Sequence, residues 1–370
     1  MQTKKRIDSI DFWRGLVLVC IFIDHIPGNI LENFTLRNIG FSDSAEAFVF
    51  LSGFSVVLAY AKRLQTDGPS AGSVPIFRRA LKIYCVHIML TFLGIALVAF
   101  AVLIAQTHVV EPDPARHAVI HDPLHALPSV FAMTTQIGYF NILPMYVVLL
   151  LAAPAYLLIG LRNRWNMLAC SIALYAFARI FQLDLPSWPV QGGWYFNPFT
   201  WQLMFAIGIF VGLTIRNEAI PYSRLLFWLC VTYSIAAALI NTSLFGAAPG
   251  LVDQAGHYLD WDKSSLGVSR IIDFLAHAYV ICQLPIGTYL KSTFAYQPMA
   301  LLGRHSLFAF GALTLMSVLG QILKETWIDS AMFDVAFVVV GIVALCWIVR
   351  RLEWQSFTPA SNTRPSPASH

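Results

Sequence analysis

The sequence has little charge. Of its 370 residues only 12% are Asp, Glu, Lys or Arg, while 57% are hydrophobic; a soluble domain carries about 25% charged residues. It has no polar stretch long enough to fold alone, no Gly-rich phosphate loop and no internal repeat. These absences exclude a soluble globular enzyme and a disordered chain. Cys20, Cys85, Cys170, Cys230, Cys282 and Cys346 all fall inside apolar segments and form no C-x-x-C pair, which excludes a disulfide scaffold. They are expected to be small buried apolar residues rather than metal ligands. No small-residue cleavage site follows the first apolar run, and Asp11, Arg14, Asp24 and His25 interrupt it. That run is expected to be a membrane helix and not a cleaved leader. The net charge of +4 comes from basic residues set between apolar runs. They suit an anionic lipid surface and give no reason to expect nucleic acid.

What the sequence does have is apolar runs, recurring from residue 15 to residue 349. A bilayer crossing takes about 20 such residues. The runs predict an all-α, polytopic helical bundle with crossings at 10–28, 44–61, 80–105, 142–160, 166–182, 199–215, 225–245, 267–290, 301–323 and 331–349. The segment 127–140 is too short and polar to cross and is expected at the interface or as a re-entrant piece. One transmembrane domain is expected over 1–354, with a Ser/Pro/Thr-rich disordered tail over 355–370. Lys62, Arg63, Arg78, Arg79, Lys82, Arg162, Arg164, Arg216, Arg224, Lys291, Arg350 and Arg351 all fall on one side of this scheme. The other side carries Arg37, Arg116, Lys263 and Lys324. The positive-inside rule then puts both termini in the cytoplasm. Trp188, Trp194, Tyr195, Tyr258 and Trp261 lie in outer loops, as an interface belt or as a platform for sugar rings.

Ionisable residues inside a span are costly and usually face the bundle interior. The first expected helix carries Asp11, Arg14, Asp24 and His25. Arg14 and His25 are eleven residues apart, so they share one side of a helix and stand about 16 Å apart along it. Asp11 lies nearly on the Arg14 side. Glu46 begins the second expected helix at its outer end, at the depth of Asp24 and His25. Asp24 points about 100° away from its neighbour, so Glu46 or Asp43 is the better candidate to orient His25. An imidazole backed by a carboxylate is a competent general base near neutral pH. The alternative is an ion-pair network that only orders the first two helices, with Arg14 snorkelling to the interface.

Other polar positions carry weaker signals. Asn141 precedes Pro144 at an outer helix end, where capping competes with binding. Tyr195-Phe196-Asn197-Pro198 leads into Trp201 and Gln202, another outer end. Arg270 and Asp273 enter the eighth expected helix, where they are expected to pair with each other, and His277 follows as a core histidine. Arg179 either snorkels or serves a site. Arg304 and His305 begin the ninth, near the cytoplasm, where they hold a phosphate or anchor an interface. His117, His121 and His125 have metal-like spacing, but Pro123 breaks the helix that spacing needs, so no metal is expected.

Several stretches resemble the OpgC family, inner-membrane proteins linked to succinylation of osmoregulated periplasmic glucans. They are Ile10-Asp11-Phe12-Trp13-Arg14-Gly15-Leu16, Phe22-Ile23-Asp24-His25-Ile26-Pro27-Gly28-Asn29, Phe34 to Asp43, and Ala45-Glu46-Ala47-Phe48-Val49-Phe50-Leu51-Ser52-Gly53. Asn141 to Tyr146, Asn197 to Gln202 and Leu302 to Leu307 add to the likeness. The Arg14–His25 spacing also resembles the wider group of multi-spanning acyltransferases that O-acetylate bacterial surface sugars, in which such a pair is functional. The resemblance implies a multi-pass protein of the bacterial inner membrane that uses acyl-CoA, expected to be succinyl-CoA, as co-substrate, with no permanently bound cofactor and a periplasmic glucan as acceptor. His25 would be the catalytic base, with Asp24 or Glu46 stabilising the imidazolium, and a covalent acyl-His as a variant. Arg14, Asp11 and Arg304 would bind the CoA donor, the arginines holding its phosphates, and Asn141, Asn197, Trp201, Gln202 and Arg270 the sugar. A transporter or flippase of a glycan or acyl donor is the rival, since intramembrane charges also mark transport paths; a scaffold subunit is a third reading. The sequence shows no paired broken helices of the transporter kind.

Overall fold

The computed structural model describes residues 8–105, 113–216, 218–244, 249–326 and 330–357. Among these residues the regular structure is all helical. In chain order the helices are α1 (Asp8–Asp24), α2 (Ser44–Ala105), α3 (Pro114–His121), α4 (Pro123–Phe131), α5 (Ile142–Arg162), α6 (Arg164–Ile180), α7 (Pro198–Ile215), α8 (Arg224–Leu244), α9 (Pro249–Leu259), α10 (Val268–Gln283), α11 (Ile286–Lys291), α12 (Tyr296–Arg304), α13 (Ser306–Thr326) and α14 (Ala331–Phe357).

α2 is two arms in one. Gly68 has φ of +81°, a backbone conformation that glycine tolerates best, and Pro69 follows it. A Cβ on Gly72 would lie 2.7 Å from Cα of Leu64. In an unbroken helix those residues would be about 12 Å apart, so the chain reverses here. The two arms hold the expected crossings 44–61 and 80–105. Among the described residues six helices are long and apolar enough to cross a bilayer: α2, α5 with the turn before it, α7, α8, α13 and α14. α1, with 17 residues, and α10, with 16, are shorter than the expected crossings there, while α6, with 17, has the expected length and starts two residues earlier. The expected helix 267–290 is broken at Leu284-Pro285, because proline removes an amide donor. The expected helix 301–323 is interrupted at His305, between α12 and α13. The 127–140 region holds the end of α4 and a 3-10 turn, Gly138–Phe140, that leads into α5. Most of the tail expected to be disordered, from residue 358, lies outside the described residues.

Local signals set the helix ends. Asp43 caps α2 by accepting from the Ala45 amide at 2.7 Å, and Glu46 returns to the Asp43 amide at 2.8 Å. This is a reciprocal capping box. Asn163 accepts from the amides of Trp165 and Asn166 and makes the tight turn from α5 to α6. Asn197 caps α7, with Pro198 in its first turn.

Two helix crossings are backbone to backbone. A Cβ on Gly208 of α7 would lie 2.1 Å from the Phe50 carbonyl oxygen, and one on Gly53 of α2 would lie 2.1 Å from that of Phe205. Gly15 of α1 and Gly303 of α12 repeat the arrangement, at 1.9 Å from Met299 O and 1.7 Å from Asp11 O. Small residues let backbones approach this closely where lipid gives no hydrophobic drive to pair. Phe12 stacks on Tyr296 beside the second crossing, ring centres 5.0 Å apart. The cysteines depart from expectation. Only Cys20 is buried by protein, while Cys85, Cys170 and Cys282 lie on the outside of the bundle. An apolar span buries residues against lipid as well as protein, and hydropathy does not separate the two.

A methyl at either crossing forces the helices apart. Gly208→Ala and Gly303→Ala are each expected to destabilise by about 1–3 kcal/mol. Gly287→Ala, where a Cβ meets nothing within 4 Å, is expected to leave thermal unfolding in nanodiscs unchanged.

Candidate active site

The N-terminus of α2 meets α10 through buried charges. Arg270 donates from Nε to Glu46 Oε1 at 2.6 Å and from a terminal nitrogen to Asp43 Oδ2 at 3.1 Å. Lys263 Nζ reaches the same Asp43 oxygen at 2.5 Å. Glu46 is wholly buried and Arg270 nearly so, so each guanidinium or carboxylate charge needs the other. The four charges sum to zero. Arg270 therefore pairs with α2 and not with Asp273, as the sequence had led us to expect. Asp273 instead accepts from the Ser42 amide and hydroxyl at 2.9 and 2.6 Å, and its carbonyl takes His277 Nδ1 at 2.9 Å. Gly40 has room only for hydrogen there, since a Cβ would lie 2.6 Å from the Asp273 carboxylate. Residues 40–46 are thus stitched along α10.

Lys263 is delivered by a tightly held loop, 260–267. Arg179 binds Asp260 at 2.6 Å and the Ser265 hydroxyl at 2.9 Å, and Tyr175 donates to Leu266 O at 2.8 Å. Trp201 donates its indole N–H to Lys263 O at 3.0 Å, and the Asn197 amide donates to Ser264 O at 3.1 Å. Burial would raise the Asp262 carboxyl, but its hydrogen bonds from Ser265 and Ser264 outweigh that and hold it below the usual range. Burial likewise opposes charge on Asp43 and Lys263. Lys263 and Arg270 nevertheless hold the Asp43 carboxyl well below the carboxylate range, and Asp43 lifts Lys263 above its ordinary value. A lowered carboxyl gives up its stability only as pH falls below about 4, and a raised amine only as pH climbs past about 10. The lock therefore holds across the neutral range. Lys263 stays about one-third exposed, above the Phe196 ring at 5.7 Å and near exposed Tyr195.

His25 follows the last residue of α1. Its amide still donates to Ile21 O at 3.1 Å, so it keeps the helical spacing from Arg14. The imidazole stacks on Tyr139, centres 4.2 Å apart and planes 11° from parallel. Its carbonyl accepts from Gln321 of α13 at 2.8 Å. Tyr139 is held in turn, because the Gly138 amide donates to Asp113 at 2.8 Å and Arg116 lies 3.2 Å from that carboxylate. Lys324 clamps the turn after His25, binding Gly28 O and Asp334 at 2.9 Å each. Neither ring nitrogen of His25 has a hydrogen-bond partner among the described residues, and Nδ1 is buried. The Glu46 and Asp43 carboxylates do not reach it, contrary to expectation: the capping box and the two cations use both. Asp24 is turned to the Thr35 hydroxyl at 2.6 Å. The charged groups acting on His25 are Lys263, Asp43 and Arg37.

The other end of α1 gathers the expected phosphate-binding residues. Arg14 donates to the Ser306 hydroxyl at the start of α13, and Asp11 is buried against Gly303. Arg304 and His305 both bind Glu353 of α14, at 3.2 and 2.8 Å.

The expected sugar-binding residues divide. Asn141 lies two residues past Tyr139 and makes no side-chain cap hydrogen bond to α5. Trp201 is fully buried. Gln202 accepts from the hydroxyls of Tyr156 and Ser171 at 2.6 Å each and donates to Ser171 O at 2.9 Å. Asn197 spends its side chain on Phe199 N and Leu183 O. Trp201 and the Asn197 backbone amide support the loop that carries Lys263, Gln202 ties α7 to α5 and α6, and all three are buried. Arg270 is likewise spent on its two acids. His117, His121 and His125 are split by the α3–α4 boundary, with His125 turned onto Asp122 at 2.8 Å. Sequence reasoning passed over Tyr139, Gln321 and the structural role of Lys263. The Asp43-x-x-Glu46 capping box was legible and points to the start of α2.

Arg270→Met should cost about 3–5 kcal/mol, because it leaves the Glu46 charge buried and unpaired. The double variant Glu46→Leu, Arg270→Met is expected to recover most of that loss. A double-mutant cycle in thermal unfolding measures the coupling, and additive losses would reject the lock.

No curated protein sequence matches this chain. The family model described as OpgC protein matches residues 6–356, nearly its whole length. The stretches that build both ends of α1, the α2 capping box and the Lys263 loop all fall within that match, and the chain belongs to the OpgC protein family.

Proposed function

We propose that this protein is a multi-pass inner-membrane O-acyltransferase that moves an acyl group, succinyl by family, from cytoplasmic acyl-CoA to a hydroxyl of a periplasmic glucan. The observation that carries the reading is His25: an imidazole fixed by stacking and by its backbone, with both ring nitrogens left unused by the described residues. A residue with a purely structural role would be expected to satisfy its buried polar atoms. In this reading the chain crosses the membrane about ten times with both termini inside, and His25 sits at the outer face.

The chemistry is a single displacement at a thioester. Arg14, with Asp11 and Arg304 around it, holds the CoA phosphates at the inner end of α1. His25, about 16 Å further out, takes the proton of the sugar hydroxyl as that oxygen attacks the thioester carbonyl. The tetrahedral intermediate collapses, the carbon–sulfur bond breaks, and the thiolate leaves and recovers the proton from the imidazolium. The products are an ester and free CoA. Tyr139 takes over the part expected of Glu46: its ring face stabilises the transient imidazolium. Asn141 beside it orients the sugar, and Lys263, held but partly exposed, faces the anionic end of the acyl group or the developing oxyanion.

The test uses purified protein in nanodiscs with acyl-CoA donors and glucose oligomers, reading thiol release and glycan mass. Wild type is expected to add one acyl mass per transfer. His25→Ala is expected to lose about 10²–10⁴-fold in rate while unfolding at the wild-type temperature. Full transfer by that variant removes His25 from the mechanism. Absence of transfer by folded wild type with every donor favours the transporter reading.

A further inference from the structure

One buried polar pair takes no part in the chemistry at His25. His87, on the outgoing arm of α2, is fully buried, and neither ring nitrogen has a hydrogen-bond partner among the described residues. Thr91, one turn on, is also buried, and its hydroxyl is likewise without a partner. Many helical hydroxyls of this chain behave otherwise. Ser52, Ser55, Thr214, Thr232, Thr314 and Thr326 each turn back to the carbonyl four residues earlier. This is the ordinary refuge of a helical hydroxyl in an apolar setting. Thr91 forgoes it and points inward with His87.

α13 gives their depth. Arg14 meets it at Ser306 and His25 meets it at Gln321. Between these, Leu90 packs on Gly311. A narrow cavity lined by Gly94, Val98, Arg116, Phe140 and Val318 lies one turn beyond Thr91. Both helices therefore rise together, and His87 and Thr91 lie between the Arg14 level and the His25 level. An acyl donor held by phosphates at the first and reacting at the second must pass them.

We infer that His87 and Thr91 form a polar station for the amides of the 4′-phosphopantetheine arm of the acyl donor. The inference rests on the acyltransferase reading and assigns its donor path. An imidazole brings one donor and one acceptor, and a hydroxyl brings both. Their spacing of one helical turn, about 6 Å, suits two secondary amides separated by a two-carbon linker. Buried polar groups in hydrocarbon are costly until met, and an arm bearing two amides meets both at once. Coenzyme A and a carrier protein present the same arm.

The test compares wild type, His87→Leu and Thr91→Val in nanodiscs. Donors are succinyl-CoA, a succinylated carrier protein, and a succinyl thioester of a simple alkanethiol that lacks amides. A non-reactive thioether analogue of succinyl-CoA supplies an affinity. Each substitution is expected to weaken the analogue and lower kcat/KM for donors with the arm by about five- to tenfold, the loss of one hydrogen bond. Rates with the amide-free donor should not change. Preference between the first two donors identifies the source of the arm. Equal losses on all donors, or no loss with the arm-bearing donors, overturn the station and leave a buried water as the partner of His87. Wild type that transfers nothing defeats the acyltransferase reading instead. The analogue then still decides the station, which falls if the variants bind it as tightly as wild type does.

Discussion

One end of the protein depends on one interaction, the pairing of Glu46 and Asp43 with Arg270 and Lys263 inside the bundle. Burying four charges is unfavourable unless each finds its partner with good geometry. Here the partners come from three places, the α2 capping box, α10 and the 260–267 loop, so the charges fix how those three meet. The supports behind them follow. Arg179, Tyr175 and Trp201 hold the loop, and Asp273 stitches residues 40–46 to α10. The acidic residues that looked catalytic are occupied in holding the frame.

α1 and α13 form the second organising element. α1 is pressed to α12 at Gly15 and Gly303. Along α13 it is tied at Ser306 through Arg14, at Ser317 through the Phe22 carbonyl, and at Gln321 through the His25 carbonyl. The Arg14 and His25 ends of α1 are therefore registered against one continuous helix. A change in the tilt of α13 moves both together and preserves their separation.

The sequence announced the architecture because charge was scarce and apolar runs were long. It drew attention to α1 because Arg14 and His25 are expensive in a membrane. Its errors have a common cause: a one-dimensional pattern does not show where a side chain's hydrogen bonds go. Asn197, Trp201 and Gln202 lie at an outer helix end and look ready for sugar, yet the fold consumes their polar atoms. Glu46 shares a depth with His25 but belongs to Arg270. Tyr139 reaches His25 from more than a hundred residues away, a contact that no local periodicity encodes. The cysteines failed for the same reason, since facing protein and facing lipid read alike in hydropathy.

The neutral sum of the charge lock has an electrical consequence. A bacterial inner membrane sustains a voltage, and moving one elementary charge through 100 mV involves about 2.3 kcal/mol. A group with a net charge at the rim of that field would be pulled or loosened as the cell energises and de-energises its membrane. Two cations facing two anions at one depth feel opposing forces that cancel. The frame that holds α2, α10 and the Lys263 loop together therefore presents no net charge for such a voltage to act on.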